Sequence, residues 1–186
     1  ETYMRPGDMN KYHFSGTLGI LNAKISADGP IVNDKLSFAL SARRSYVDLF
    51  LKMVPEYKST IMNFFDVNAK IRYKVAAGNH LDISFFASRD NLAISDLMDM
   101  RWGNISGSIN WSIQKGGWRF LTTGAITDYT TEMGMNIMDA NQKLNEYIQS
   151  YSANEKISYN ISDNHLLEFG IRSELLRVKS GDMKIS

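Results

Sequence analysis

The chain has no cysteine, which excludes a disulfide framework, a CxxC motif and a thiol nucleophile. Histidine is scarce too, with three residues. His13, His80 and His165 are far apart, and the last two open strands beside turns, where a solvated histidine is commoner than a metal ligand or base. No run approaches the roughly 18 apolar residues that a spanning helix needs. Neither sign of charge dominates: 21 basic and 20 acidic residues leave a net +1. No basic block concentrates a field, so nucleic acid is not an expected partner. The acids are dispersed, and no Gly-x-Ser-x-Gly, HExxH or P-loop occurs. The expectation is a protein that is not an enzyme, with no catalytic residues, no metal ligands and no cofactor.

What the chain has is alternation. Over 65–75, Phe65, Val67, Ala69, Ile71, Tyr73 and Val75 share one parity, and Asp66, Asn68, Lys70, Arg72 and Lys74 share the other. A period of two puts each set on its own face of a strand, one oily and one charged. Hidden in this way, the apolar half leaves the composition ordinary, at 44% hydrophobic. Eight such stretches are expected, over 16–28, 36–46, 64–76, 80–90, 102–113, 118–130, 147–161 and 165–178. The sixth has no clean parity. Turns are expected at 29–34, 77–79, 114–117 and 162–164, where Gly, Pro, Asn and Asp cluster. Long connections are expected at 47–63, 91–101 and 131–146, the first beginning with a short helix that ends before Pro55.

These strands run roughly 11–15 residues, longer than the usual 5–6 of soluble sheets and enough for the 9–11 of a tilted membrane strand. Tight turns alternating with long loops are the pattern of a transmembrane β-barrel, with the short turns periplasmic and the long loops outside. In that orientation Tyr46, Phe65, Trp102, Tyr129 and Tyr147 fall near outer strand ends. Phe38, Tyr73, Trp111, Trp118 and Tyr159 fall near inner ends. Two aromatic girdles at the interfaces are expected of such a barrel, although aromatics favour strands in any case. Arg44 shares the apolar parity near the outer end, where it can snorkel toward lipid phosphates or anchor the loop. The polar parity carries Arg43, Lys70, Arg72, Asp82, Lys156, Glu168, Arg172 and Glu174; a hydrated face is the plainer role for them. Met98, Met100, Met133, Met135 and Met138 concentrate in two expected loops. Thioethers suit Cu(I), but adaptable apolar contact is their commoner use.

The run from Gly16 to Asp48 has a glycine-rich start, Asp28-Gly-Pro-Ile-Val-Asn-Asp-Lys35, and Ser41-Ala-Arg43-Arg44-Ser-Tyr46-Val-Asp48. It resembles the start of the barrel in TonB-dependent outer-membrane receptors, particularly the SusC-like branch. Phe65–Tyr73, His80–Phe86 and Trp102-Gly-Asn104 are similar to later pieces of that family. The resemblance implies an all-β, antiparallel up-and-down meander of about eight strands. Residues 1–186 would form a single segment, an arc of a barrel of about 22 strands. It implies a nutrient transporter of the bacterial outer membrane, with the plug and TonB-contacting box expected before Glu1. The implied partners are outer-membrane lipid, the plug and remaining barrel, the TonB system, and a surface lipoprotein. The eight polar-face residues would then line the lumen or touch the plug. The competing expectation is a soluble or self-associating β-sheet module without transport.

Overall fold

In the computed structural model, which describes residues 5–95, 97–137, 140–162, 164–181 and 184–185, the alternating stretches form one antiparallel sheet. The strands are β1 (His13–Leu18), β2 (Asn22–Val32), β3 (Leu36–Ser45), β4 (Thr60–Ala76), β5 (Asn79–Ile94), β6 (Met98–Lys115), β7 (Trp118–Ile137), β8 (Ala140–Ser162), β9 (His165–Lys179) and β10 (Lys184–Ile185). From β1 to β9, each pairs with its neighbour in sequence. β10 pairs with Gln142 and Lys143 of β8, beyond the stretch of β8 that holds β9. It therefore continues the ninth line of a nine-line meander. The only helical pieces among the described residues are α1 (Val47–Leu51) and a 3₁₀ turn at Pro55–Tyr57. No described helix is long and apolar enough to cross a membrane.

The all-β antiparallel meander is as expected, but four boundaries differ. The stretch 16–28 is not one strand. Gly19, whose amide donates to the Asn22 carbonyl at 2.8 Å, closes a turn between β1 and β2. The Tyr46 hydroxyl also donates to the Gly19 carbonyl. Gly29 and Pro30 lie inside β2 rather than in the turn, beside a register shift between Pro30 and Val32. The turn is left to 33–35, where Asp34 takes φ 58°. Most of the expected loops 91–101 and 131–146 are strand. β5 and β6 are joined by 95–97, with Ser95 at φ 48°, and β7 and β8 run to Ile137 and from Ala140. Only the connection after β3 is long. At the other end, Gly78 (φ 69°) and Gly116 (φ 59°) occupy left-handed turn positions that favour glycine.

The strands are longer than the sequence suggested, β7 having 20 residues and β8 having 23. At about 3.3 Å per residue, β8 is roughly 76 Å long, far more than any bilayer needs.

The register fixes both faces. One face carries central rows Phe38–Ile71–Ile83–Ile109–Gly124–Ala153 and Leu40–Ala69–Phe85–Gly107–Ile126–Tyr151. The other carries rows such as Ser37–Arg72–Asp82–Asn110–Thr123–Asn154–Arg172. β7, which has no readable parity in the sequence, is placed by its pairing: Trp118, Phe120, Gly124 and Ile126 join the apolar face. Its odd members, including Thr123 and Thr127, join the polar one.

Burial is inverted relative to a soluble sheet. Among the described residues, the buried side chains Ser37, Ala39, Ser45, Asp66, Lys70, Asp82 and Ser158 all lie on the polar face; Gly29 and Pro30 of β2 are buried as well, Gly29 beneath the Tyr12 ring. Leu40, Phe85, Ile109 and Ile126 on the apolar face are about half exposed, at 47 to 53%.

Candidate functional site

The polar face near the turns 33–35 and 77–78 holds the densest chemistry. Arg72 grips Asp82 with two parallel bonds, Nε to Oδ1 at 2.6 Å and Nη2 to Oδ2 at 2.7 Å. Lys70 Nζ reaches Asp82 Oδ2 at 3.1 Å. Arg72 and Asp82 are direct cross-strand partners, and Lys70 stands two residues from Arg72 on the same face. The alternation of β4 thus forces both cations toward one carboxylate. The side chains of Lys70 and Asp82 are only 2% and 3% exposed. A bidentate guanidinium with a second cation is the geometry in which a buried carboxylate is best satisfied.

The remaining predicted residues lie on this same face, and each is ion-paired. Arg43 Nε meets Asp66 at 2.7 Å, Lys156 meets Glu168 at 2.8 Å, and Arg172 meets Glu174 at 3.1 Å. The structure therefore places all eight on one face, in four separate ion-paired groups. It adds Asp66, the partner of Arg43, which sequence reasoning assigned to the polar parity but did not single out. The pairs on β8 and β9 are about half exposed and stay available to a further partner.

The segment before β1 lies across this face. The Asp8 amide donates to Asp28 Oδ2 at 3.0 Å, and the Asp34 amide donates to the Met9 carbonyl at 3.1 Å. Gly7 is pressed so closely on β3 that an added Cβ would collide with the Phe38 carbonyl oxygen. No larger residue fits there without displacing the segment. Met9 lines an open pocket of about 190 Å³ with Arg72, Lys74 and His80. Asp8 accepts from the amides of Asn10 and Lys11 at 2.7 and 3.1 Å and pairs with His13 at 3.2 Å. Those bonds, the Asn10 amide foremost, hold its carboxyl below the ordinary value. The sequence held no signal for this strap, because 5–12 has no periodicity.

On the apolar face, Tyr73 and Trp111 share a row, and Trp118 and Tyr159 are cross-strand partners with ring centroids 4.4 Å apart. Phe120 stacks on Trp118 at 6.0 Å. These four of the five expected aromatics form one belt at the end bearing the tight turns; the fifth, Phe38, stands instead in the central row of Ile71 and Ile83. At the other end, Phe65 is in register with Arg44 and Arg89 on the same face. Tyr46 has the same parity but is engaged with the β1–β2 turn. Trp102 and Tyr129 depart from the expected outer girdle. They pair with Asp90 and Asn104, so they stand on the polar-parity face.

The apolar face carries two acids in its band, and both are hydrogen-bonded. Asp128 accepts from Tyr147 at 3.0 Å and Gln149 at 2.7 Å, one row inside the Phe65 row. Glu155 accepts from Thr122 at 2.6 Å, in the row of Tyr73 and Trp111. The two central rows have no charge.

Beyond the Phe65 row the polarity of the faces swaps. Asn63, Asn91, Arg101, Glu132 and Asn145 continue the apolar face. Met62, Leu92, Met100, Met133 and Leu144 continue the polar one. The four methionines at 98, 100, 133 and 135 are strand residues here, and Met138 lies outside the described residues.

Among the described residues, no group of three or more His, Asp or Glu is arranged to hold a metal. Compared with known proteins, the chain matches no protein family, no curated protein and no solved structure.

Proposed function

We propose that this chain is part of the wall of an outer-membrane transporter, an arc of a large β-barrel of about 22 strands in the TonB-dependent class. The observation that carries the proposal is the inverted burial: the Lys70–Asp82 ion pair is buried on one face while an isoleucine-, leucine- and phenylalanine-rich face is left exposed. An apolar outer band with a polar inner face is the design of a transmembrane barrel. The dimensions agree. Trp118 to Thr130 spans about 40 Å along β7, and a tilt of about 40° reduces that to about 30 Å, close to the hydrocarbon core of a bilayer. The Trp118–Tyr159 belt bounds the band below, and Phe65 with Arg44 and Arg89 bounds it above. The swap of polarity beyond Phe65 fits strands that leave the bilayer and continue into water. Substrate would pass on the polar side, where the segment before β1 lies, and where a plug would sit. The TonB system and a surface lipoprotein are the partners this assignment entails.

Two unpaired edges, β1 and β9, support a second possibility, a self-associating sheet, since open edges template pairing. Cell-surface labelling separates the two. The chain has no cysteine, so Lys58→Cys, in the long connection, and Asn33→Cys, in a tight turn, each give one thiol. With the full-length protein in intact cells, a membrane-impermeant maleimide is expected to label position 58 and to reach position 33 only after the envelope is opened. Recovery in the soluble fraction, or equal labelling of both thiols in intact cells, would overturn the proposal.

A further inference from the structure

The register brings four methionines into a two-by-two array. Met98 is directly opposite Met135, and Met100 is directly opposite Met133. All four share one face of β6 and β7, and all four are partly buried. The sequence separates them by more than 30 positions; only the hairpin brings them together. We propose that Met98, Met100, Met133 and Met135 form a thioether site for a soft monovalent cation, Cu(I).

Opposed Cβ atoms in such a pair are about 5 Å apart, and residues two apart on a strand are about 7 Å apart. The centre of the array is thus about 4 Å from each Cβ, measured in the plane of the sheet. Each sulfur lies two bonds beyond Cβ on an unbranched, freely rotating stem, so all four can converge on one point above that centre.

The surroundings suit a soft ion and no other. The neighbours in the two rows are Met62, Leu92 and Leu144, and Thr60, Ile94 and Gln142. Among the described residues, Asp99, Arg101, Glu132, Lys143 and Lys184 have the opposite parity. The nearest described acids on the array's own face, Asp90 and Glu146, stand one row beyond Leu92 and Leu144. Thioethers without carboxylate or imidazole select Cu(I) over Zn(II), Mg(II) or Ca(II). Apolar packing alone does not explain the residue choice. Strands favour Val, Ile and aromatics at such positions, and methionine at four paired sites supplies sulfur that those residues lack. The site stands whether or not the chain is in a membrane.

The test uses the full-length protein in detergent, anaerobically, with Cu(I) presented by a chromogenic chelator and Ag(I) as a redox-inert stand-in. One equivalent of Cu(I) is expected to bind per chain, undisturbed by excess Zn(II). Met100→Leu keeps the apolar volume and should weaken binding at least about tenfold. Replacing all four with Leu should abolish binding with the β-sheet circular dichroism unchanged, while Met53→Leu, in the exposed connection, changes nothing. A measurement without variants stands beside these. With ¹³C-methyl methionine, Ag(I) should shift four methyl signals together and leave those of Met9 and Met53 in place. Retained affinity in the folded fourfold variant, or methyl shifts spread over all methionines, would overturn the site.

Discussion

Asp82→Asn is expected to lower the stability of the folded chain by about 3–5 kcal/mol, the cost of breaking a buried charge pair from one side. The carboxylate lies between Lys70 and Arg72, at 3.1 Å from one and in a bidentate grip from the other. Replacing it with an amide removes the counter-charge from two cations fixed on the same face of β4. Arg72, whose side chain is 20% exposed, can swing toward water; Lys70, at 2%, has far less room. The effect is specific to charge imbalance. The double variant Lys70→Met/Asp82→Leu, which removes one cation with the anion and preserves volume, is expected to recover more than half of the loss. Denaturant titration of Asp82→Asn, and of the cycle formed by the unaltered protein, Lys70→Met, Asp82→Leu and the double variant, in detergent or liposomes, gives the loss and the coupling directly. A loss under about 1 kcal/mol for Asp82→Asn would show that this end of the polar face is wetter than its burial implies.

The second large effect distinguishes the two faces. Ala69 sits in the central row between Leu40 and Phe85, and Asn68 is its immediate neighbour on the polar face, beside Ser41 and Phe86. In the proposed barrel wall, Ala69→Arg is expected to cost about 2–4 kcal/mol, because it would put a cation against lipid near the midplane. Asn68→Arg should cost less than about 1 kcal/mol, since it adds a charge where polar side chains already lie and Asp66 is within reach. The same side chain is inserted at adjacent positions, so strand propensity and size cancel. Equal losses in a liposome unfolding titration would contradict the face assignment.

The parity of β4, β5 and β6 was legible because turn residues and apolar spacing agree there. Phe65 to Val75 and Ile105 to Ile113 read directly onto the observed faces. The eight polar-face residues were legible for the same reason; that each would find an ion partner was not, because partners are set by cross-strand register. The long strand extensions were missed for one physical cause. The apolar residues change parity between Ala87 and Leu92 on β5, and between Tyr151 and Leu144 on β8. A period-two pattern that shifts phase looks like a loop, although the strand continues and only its faces exchange character. At 16–28, Gly16 and Gly19 weaken the pattern at the point where β1 turns into β2, so two strands read as one. Trp102 and Tyr129 were assigned by depth alone, and depth does not determine face.

The central claim is that the exposed apolar face lies against lipid, and fluorescence quenching by brominated lipids tests it most directly. Because the chain has no cysteine, single thiols at Ile109 and Ser108 can each carry an environment-sensitive dye. The two positions are adjacent on β6 and face opposite ways. In liposomes, a dye at Ile109→Cys should be blue-shifted and strongly quenched by lipids brominated near the acyl-chain end. A dye at Ser108→Cys should be red-shifted, barely affected by those lipids and open to aqueous iodide. Iodide quenching of both dyes, with neither responding to brominated lipid, would contradict the account.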